Sequence, residues 1–146
     1  MIKFKNNSEN ELAYQTELAS GIDIASNEYD FVLKPLERKL VSTGVSIEQI
    51  DWNLEVQIRP RSGLAYKHGI TVLNSPGTID ADYIDKEIKV LLVNVSNEEH
   101  TIKKGERIAQ MVLCEVKREV SLIKYNSRDG GFGSTGTGGN DGKNNL

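Results

Sequence analysis

The chain has 146 residues, enough for one domain that buries roughly two thirds of the surface its unfolded form exposes, and no second domain is expected. Its 18 Lys and Arg are interspersed with 21 acids for a net charge of −3, which argues against nucleic acid as the main partner. The opening MIKFKNNSENELAY has no long apolar segment and no later stretch approaches the ~18 apolar residues of a membrane span, so a soluble, unexported, cytoplasmic protein without membrane contact is expected.

Along the chain, short β-branched or alternating runs recur and helical periodicity is hard to find. They are IDIAS (22–26), YDFVLK (29–34), KLVSTGVSI (39–47), LEVQIRP (54–60), GITVL (69–73), EIKVLLVNVS (87–96), HTIKKG (100–105) and RIAQMVLCEV (107–116). In the fourth, Leu54, Val56 and Ile58 share one face while Glu55, Gln57 and Arg59 share the other, the pattern of a half-buried strand. The sixth is apolar nearly throughout and is expected in the middle of a sheet. STG, SPG and KKGE read as the turns between strands, at intervals of roughly 8 to 12 residues, which predicts an all-β sandwich, jelly roll or barrel. Cys114 lies in the apolar run IAQMVLC and is expected to be a buried, inert thiol; one cysteine makes no internal disulfide and two scattered histidines make no zinc cluster. Seven of the 13 glycines fall between Gly130 and Leu146, so the chain divides into a body, 1–125, and a flexible glycine-rich arm, 126–146.

Three segments hold side chains with chemistry. In RPRSGLAYKHG, Arg59 and Arg61 flank Pro60 and Ser62-Gly63 follow where the strand pattern stops, so a guanidinium, a hydroxyl and backbone amides can converge on one anion. Two solvated arginines in a loop account for the same letters. In NSPGTIDADYIDKEIKV, Asp80, Asp82 and Asp85 surround Tyr83, and hydrolysis needs a carboxylate to orient and deprotonate water; an acidic turn is otherwise simply solvated. On a straight strand Asp80 and Tyr83 would face opposite ways, so a site that uses both requires a bend between them. In KKGERIAQ, Arg107 and Gln110 stand at the entrance of a strand, where they suit a polyanion or plain surface polarity equally well.

The order of these segments carries more than any one of them. The chain resembles the trimeric dUTPase family over nearly its whole length, through ASGIDIAS (19–26), RPRSGLA (59–65), GTIDADY (77–83), GERIAQ (105–110) and GGFGSTG (130–136). The resemblance implies a jelly-roll-like β-barrel that assembles as a homotrimer with shared sites, and hydrolysis of dUTP to dUMP and pyrophosphate with Mg2+ held by the triphosphate. It further implies that Asp80 orients the attacking water and that Tyr83 lies beneath the deoxyribose, leaving no room for a 2′-hydroxyl. Asn74, with main-chain groups of Gly77, Thr78 and Ile79, matches the uracil reader. Arg61, Ser62, Gly63 and Gln110 match groups around the phosphates, Lys89 is counted among the substrate-binding residues, and Asp23 matches an acid that meets the metal through water. In the arm, Phe132 matches a lid on the uracil, and Arg128, Gly133, Ser134 and Thr135 match phosphate contacts. Two departures stand out: YIDKE is one residue longer than the family's Tyr-Arg-Gly-Glu and lacks its arginine and glycine, and Arg128 stands one residue nearer to Phe132 than usual. A dCTP deaminase of the same fold, or a nucleotide-responsive binding protein without turnover, are the competing readings; the GTIDADY motif and the full lid argue against the first, and the intact Asp80, Gln110 and arm against the second.

Overall fold

The structure, a computed structural model, describes residues 1–123. Each of the eight β-branched or alternating runs carries a strand: β2 (Ile22–Ala25), β3 (Phe31–Leu33), β4 (Arg38–Ile50), β5 (Leu54–Arg59), β6 (Ile70–Val72), β8 (Glu87–Asn94), β9 (His100–Ile102) and β10 (Arg107–Glu115). The sequence reading did not anticipate β1 (Ile2–Asn6), β7 (Gly77–Ile79) or the helix α1 (Ser62–His68). β1, an edge strand on β4, does alternate, with Ile2 and Phe4 half-buried against the core and Lys3 and Lys5 exposed, but the pattern spans only four residues of a polar opening segment; β7 has just three residues held to β5, too few to display alternation.

Two four-stranded antiparallel sheets, in the orders β1-β4-β8-β6 and β2-β10-β5-β7, form the all-β jelly roll, with β3 and β9 as a separate pair. Their inner faces supply one apolar core that includes Ile24, Val41, Ile47, Val56, Ile58, Ile88, Val90, Leu92, Ile108 and Met111. Each such side chain contributes roughly 1.5–3 kcal/mol of burial. As expected, β8 is an inner strand between β4 and β6, with Ile88, Val90 and Leu92 fully buried. In β5 the core face holds Val56 and Ile58, while Gln57 and Arg59 on the other face are half-buried, Arg59 bonding Gln57 Oε1 at 2.9 Å.

Three expectations are corrected. STG is not a turn: Ser42, Thr43 and Gly44 form a bulge inside β4, where the pairing with β8 jumps from Ser42↔Lys89 to Val45↔Ile88 and Gly44 takes φ 72°. Helix α1 has only seven residues and buries only Leu64, too short a span for a 3.6-residue period to be visible; it stops at Gly69, φ 64°, whose amide bonds back to Ala65. Cys114 is half-buried, because it lies on the outer face of β10, the face of Gln110, opposite Glu55, where its Sγ is 3.6 Å from Arg59 Nη2.

The bulge has a carboxylate as its counterpart. Glu87 accepts hydrogen bonds from the Ser42 hydroxyl and from the Gly44 amide at 2.9 Å. Burial pushes the Glu87 carboxyl up, but these two bonds, the charge of Lys89 and the Thr43 backbone together outweigh it and hold Glu87 below its ordinary value. A carboxyl depressed in the folded state stabilises fully above its unfolded value, and that contribution is lost as pH falls through the folded one. Thermal melts from about pH 6 down to about pH 3 should therefore show a decline in Tm that is shallower in Glu87→Gln, which keeps an acceptor but has no proton to take up. Parallel curves for the two proteins would remove Glu87 as the source.

Candidate active site

The first cluster lies where β5, β10 and β2 run side by side. Gln110 is directly opposite Arg59 on one flank and Asp23 on the other, so the three positions form a row across the sheet. Beyond Arg59 the chain passes through Pro60 and Arg61 into α1. Gln110 Nε2 donates to the Pro60 carbonyl at 3.0 Å, and Arg61 Nη1 donates to the Arg107 carbonyl at 3.0 Å. The Asp23 carboxylate, its side chain only 14% exposed, sits between Arg61 Nε at 3.5 Å and Arg107 Nη1 at 3.4 Å. Ser62 and Gly63 are exposed at the start of α1, no side chain caps that end, and its first internal bond is made by Ala65 to Arg61. The preceding amides are thus left for an external acceptor. Five of the expected residues, Asp23, Arg61, Ser62, Gly63 and Gln110, come together here, and Arg107 joins them.

Sequence reasoning gave no separate role to Gly21. A Cβ built there would lie 2.5 Å from Gln110 Oε1 and 3.1 Å from Gln110 Cβ, so Gly21 is the floor on which Gln110 rests. Its place in ASGID, just before β2, was the available signal. Gly21→Ala should displace the amide, and if Gln110 is the phosphate donor that the resemblance implies, it should lower kcat/KM for dUTP on the order of tenfold or more, since such donors lose much of their effect with a shift of about 1 Å. Steady-state pyrophosphate release checks this, and a kcat/KM equal to that of the unaltered protein would count against Gln110 having a fixed place.

The second cluster lies at the end of β7. Asp80 is exposed just past Ile79, and the Tyr83 amide donates to the Asp80 carbonyl at 3.0 Å, closing the turn that brings both residues to one place. The required bend is present. The Tyr83 hydroxyl donates to the Glu87 carbonyl at 3.1 Å. No glycine serves the longer YIDKE loop; Asp85 takes the left-handed conformation instead, φ 56°, with its amide on the Ile47 carbonyl at 2.9 Å. Asn74 and Thr78 are exposed, Ile79 is half-buried, and Gly77 is packed so closely on Ile58 that a Cβ would approach Ile58 Cβ to 3.1 Å. Lys89 is exposed on β8, two residues beyond Glu87, in the sheet that does not carry Gln110. Arg128, Phe132, Gly133, Ser134 and Thr135 lie outside the described residues.

Register separates the two clusters within one chain. Ile79 pairs with Val56 and Gly77 with Ile58, so Asp80 continues past Val56 while Arg61 lies beyond Arg59 at the other end of β5. At ~3.3 Å per residue that is roughly 20 Å along the strand.

By architecture the chain is a dUTPase-like jelly roll. A variant of the dUTPase of S. aureus phage phi11, whose structure concerns coordination of a structural Mg(II) ion, superposes with a TM-score of 0.74 at 18% identity, over 88% of this chain and 99% of that one. The dUTPase family model matches residues 8–136. The deoxyuridine 5′-triphosphate nucleotidohydrolase of Nautilia profundicola is 59% identical over 129 residues, 85% of this chain and 89% of that one. That of Cytophaga hutchinsonii is 56% identical over 142 residues, 92% and 91% of the two chains. The chain belongs to the dUTPase family and is a dUTP diphosphatase. Among the described residues no helix is long and apolar enough to cross a membrane.

Proposed function

We propose that the two clusters are halves of one site, joined only when neighbouring copies of the chain meet in a homotrimer, and that dUTP lies across the joint. The observation that carries this is the register of β5 and β7: a base at Asp80 and a phosphate donor at Arg61, roughly 20 Å apart along the strand in one chain, do not meet on one reacting phosphate. A row of leucines supports an assembly between copies. Leu40, Leu91 and Leu73 are neighbours across β4, β8 and the end of β6, and Leu40 and Leu73 are 55% and 47% exposed.

In this reading the ionised Asp80 accepts a proton from water, whose oxygen attacks the α-phosphorus; the bond from that phosphorus to the β-bridging oxygen breaks, and pyrophosphate leaves. The second oxygen of Asp80 accepts from the sugar 3′-hydroxyl. Arg61, the Ser62 hydroxyl, the free α1 amides and Gln110 meet the charge that grows on the departing phosphates. A Cβ at Gly63 would stand in open space, so the fold itself does not demand glycine there, whereas close approach of a phosphate does. Asn74 and the backbone of Gly77, Thr78 and Ile79 read uracil, Tyr83 walls off the sugar, and Lys89 adds a cation beside Glu87. The assigned parts of Arg128, Phe132, Gly133, Ser134 and Thr135 are to close over the base and outer phosphates.

Asp23 is a single acid already flanked by two guanidiniums, and no group of three or more His, Cys, Asp or Glu among the described residues is arranged for a metal. That donor set fits Mg2+ carried by phosphate oxygens and waters, with Asp23 reaching it through water. When bound, Mg2+ supplies charge neutralisation along the triphosphate. The reaction removes dUTP from the pool available for DNA and yields dUMP for thymidylate synthesis in the cytoplasm. Pyrophosphate release from dUTP, dCTP, dTTP and UTP in parallel tests the substrate; dUTP alone should be turned over efficiently, and sedimentation should give three chains per particle. A monomer with full activity would overturn the shared site.

A further inference from the structure

Refusing a hydroxyl by bulk works only if the wall cannot retreat. Tyr83 is half-buried in a turn outside the sheets, where its ring could swing aside at little cost unless something holds it. Two contacts do. Its hydroxyl donates to the Glu87 carbonyl at 3.1 Å, and Lys86 Nζ stands over the ring, 5.4 Å from its centroid, within cation–π range. Lys86 lies in the turn that follows Tyr83 and Glu87 opens β8 directly after it, and this stretch is anchored at each side. Asp85 adopts φ 56° with its amide on Ile47, which brings the chain round so that Lys86 returns over Tyr83. Glu87 is fastened to the Gly44 bulge by the Ser42 hydroxyl and the Gly44 amide.

We propose that Lys86 and the Glu87 carbonyl clamp the Tyr83 ring, and that Lys86 is thereby a specificity-determining residue for deoxyribose over ribose. The inference rests on the reading of Tyr83 as the sugar wall. With an ammonium over one face, the ring offers the sugar its other face. Two effects follow. The ring is held in place, and the cation draws on its π density, making the free face a poorer acceptor for a ribose 2′-hydroxyl. Lys86 touches no reacting atom in this scheme; it is a positioning residue acting through Tyr83.

The test is kcat/KM for dUTP and for UTP in the full-length protein and in Lys86→Met, Lys86→Arg, Tyr83→Phe, Tyr83→Ala and the double variant Lys86→Met/Tyr83→Phe. Lys86→Met keeps most of the apolar stem and removes the charge. It should lower the dUTP/UTP ratio about two- to fivefold, the scale of one exposed cation–π contact, through a gain in UTP turnover. Lys86→Arg should return the ratio to that of the unaltered protein, because a guanidinium also stacks on an aromatic face. Tyr83→Phe should also lower the ratio, and the double variant should differ from the product of the two single effects, because both contacts hold one ring. If Lys86→Met leaves the ratio intact while Tyr83→Ala abolishes it, the clamp is overturned and the sugar wall stands. If Tyr83→Ala leaves the ratio intact, both fall. A Lys86→Met variant whose KM rises equally for dUTP and UTP in a salt-dependent way would show a cation acting on the phosphates, and would overturn the clamp.

Discussion

Asp80→Asn is expected to keep the fold and most of the affinity for dUTP while lowering kcat on the order of 100- to 10,000-fold, the usual contribution of a positioned base. Asp80 is exposed at the end of β7, makes no contact that the core depends on, and contributes to local structure through its backbone carbonyl, which accepts from Tyr83 in the variant as in the parent. An amide has nearly the shape of the carboxylate and can still bond the sugar 3′-hydroxyl, so ground-state binding survives. What it lacks is the basicity to take a proton from water. The measurement pairs kcat from pyrophosphate release with a dissociation constant for dUTP from calorimetry. Affinity that falls in step with turnover would make Asp80 a binding residue and leave the base to be found elsewhere.

Two inactive variants should restore each other. Arg61→Ala removes the guanidinium that lies between Asp23 and the Arg107 carbonyl, and with it a charged phosphate donor, so its loss should be on the order of 100- to 1,000-fold. Asp80→Asn is inactive for the separate reason given above. In a trimer whose sites take Asp80 from one chain and Arg61 from the next, random co-assembly of equal amounts places both intact residues in about a quarter of the sites. Pyrophosphate release after co-refolding should then recover to about a quarter of the unaltered rate, against almost none for the variants refolded separately and mixed. Mixed trimers, verified by native mass spectrometry, that remain as inactive as the control would mean that each chain builds its own site. The roughly 20 Å between the clusters would then have to close by a rearrangement of β7.

The two clusters were legible in the sequence to different degrees. The row of Asp23, Arg59 and Gln110 lies on runs whose strand character is plain, by alternation in β5 and by apolar content in β10, so the residue types and their strand positions could be read directly; their lateral alignment could not, because it depends on a register between segments far apart in the chain. The Asp80–Tyr83 bend was deduced as a requirement, and the structure supplies it by one backbone hydrogen bond. Gly21 beneath Gln110 and Lys86 over Tyr83 were not read, since a glycine and a lysine near a turn have many ordinary explanations until the neighbouring atoms are known. The same holds for Glu87, whose hydrogen-bond partner Gly44 is 43 residues away.

The identity of eight of the ten described strands was a property of the sequence by itself. Period-2 burial and β-branched content are local patterns, so the eight runs announce the all-β class, and the motif order announces the family. Tertiary structure alone decided three other things. STG became a bulge because β8 offers Glu87 and the Ile88 carbonyl to its polar groups, where an isolated segment would turn. SGLAYKH became a helix because Leu64 had a core to enter, since seven residues do not sustain a helix in water. The separation of the two clusters arose from the antiparallel register of β5 and β7, because alternation says which face a residue takes and nothing about which residue it will stand beside.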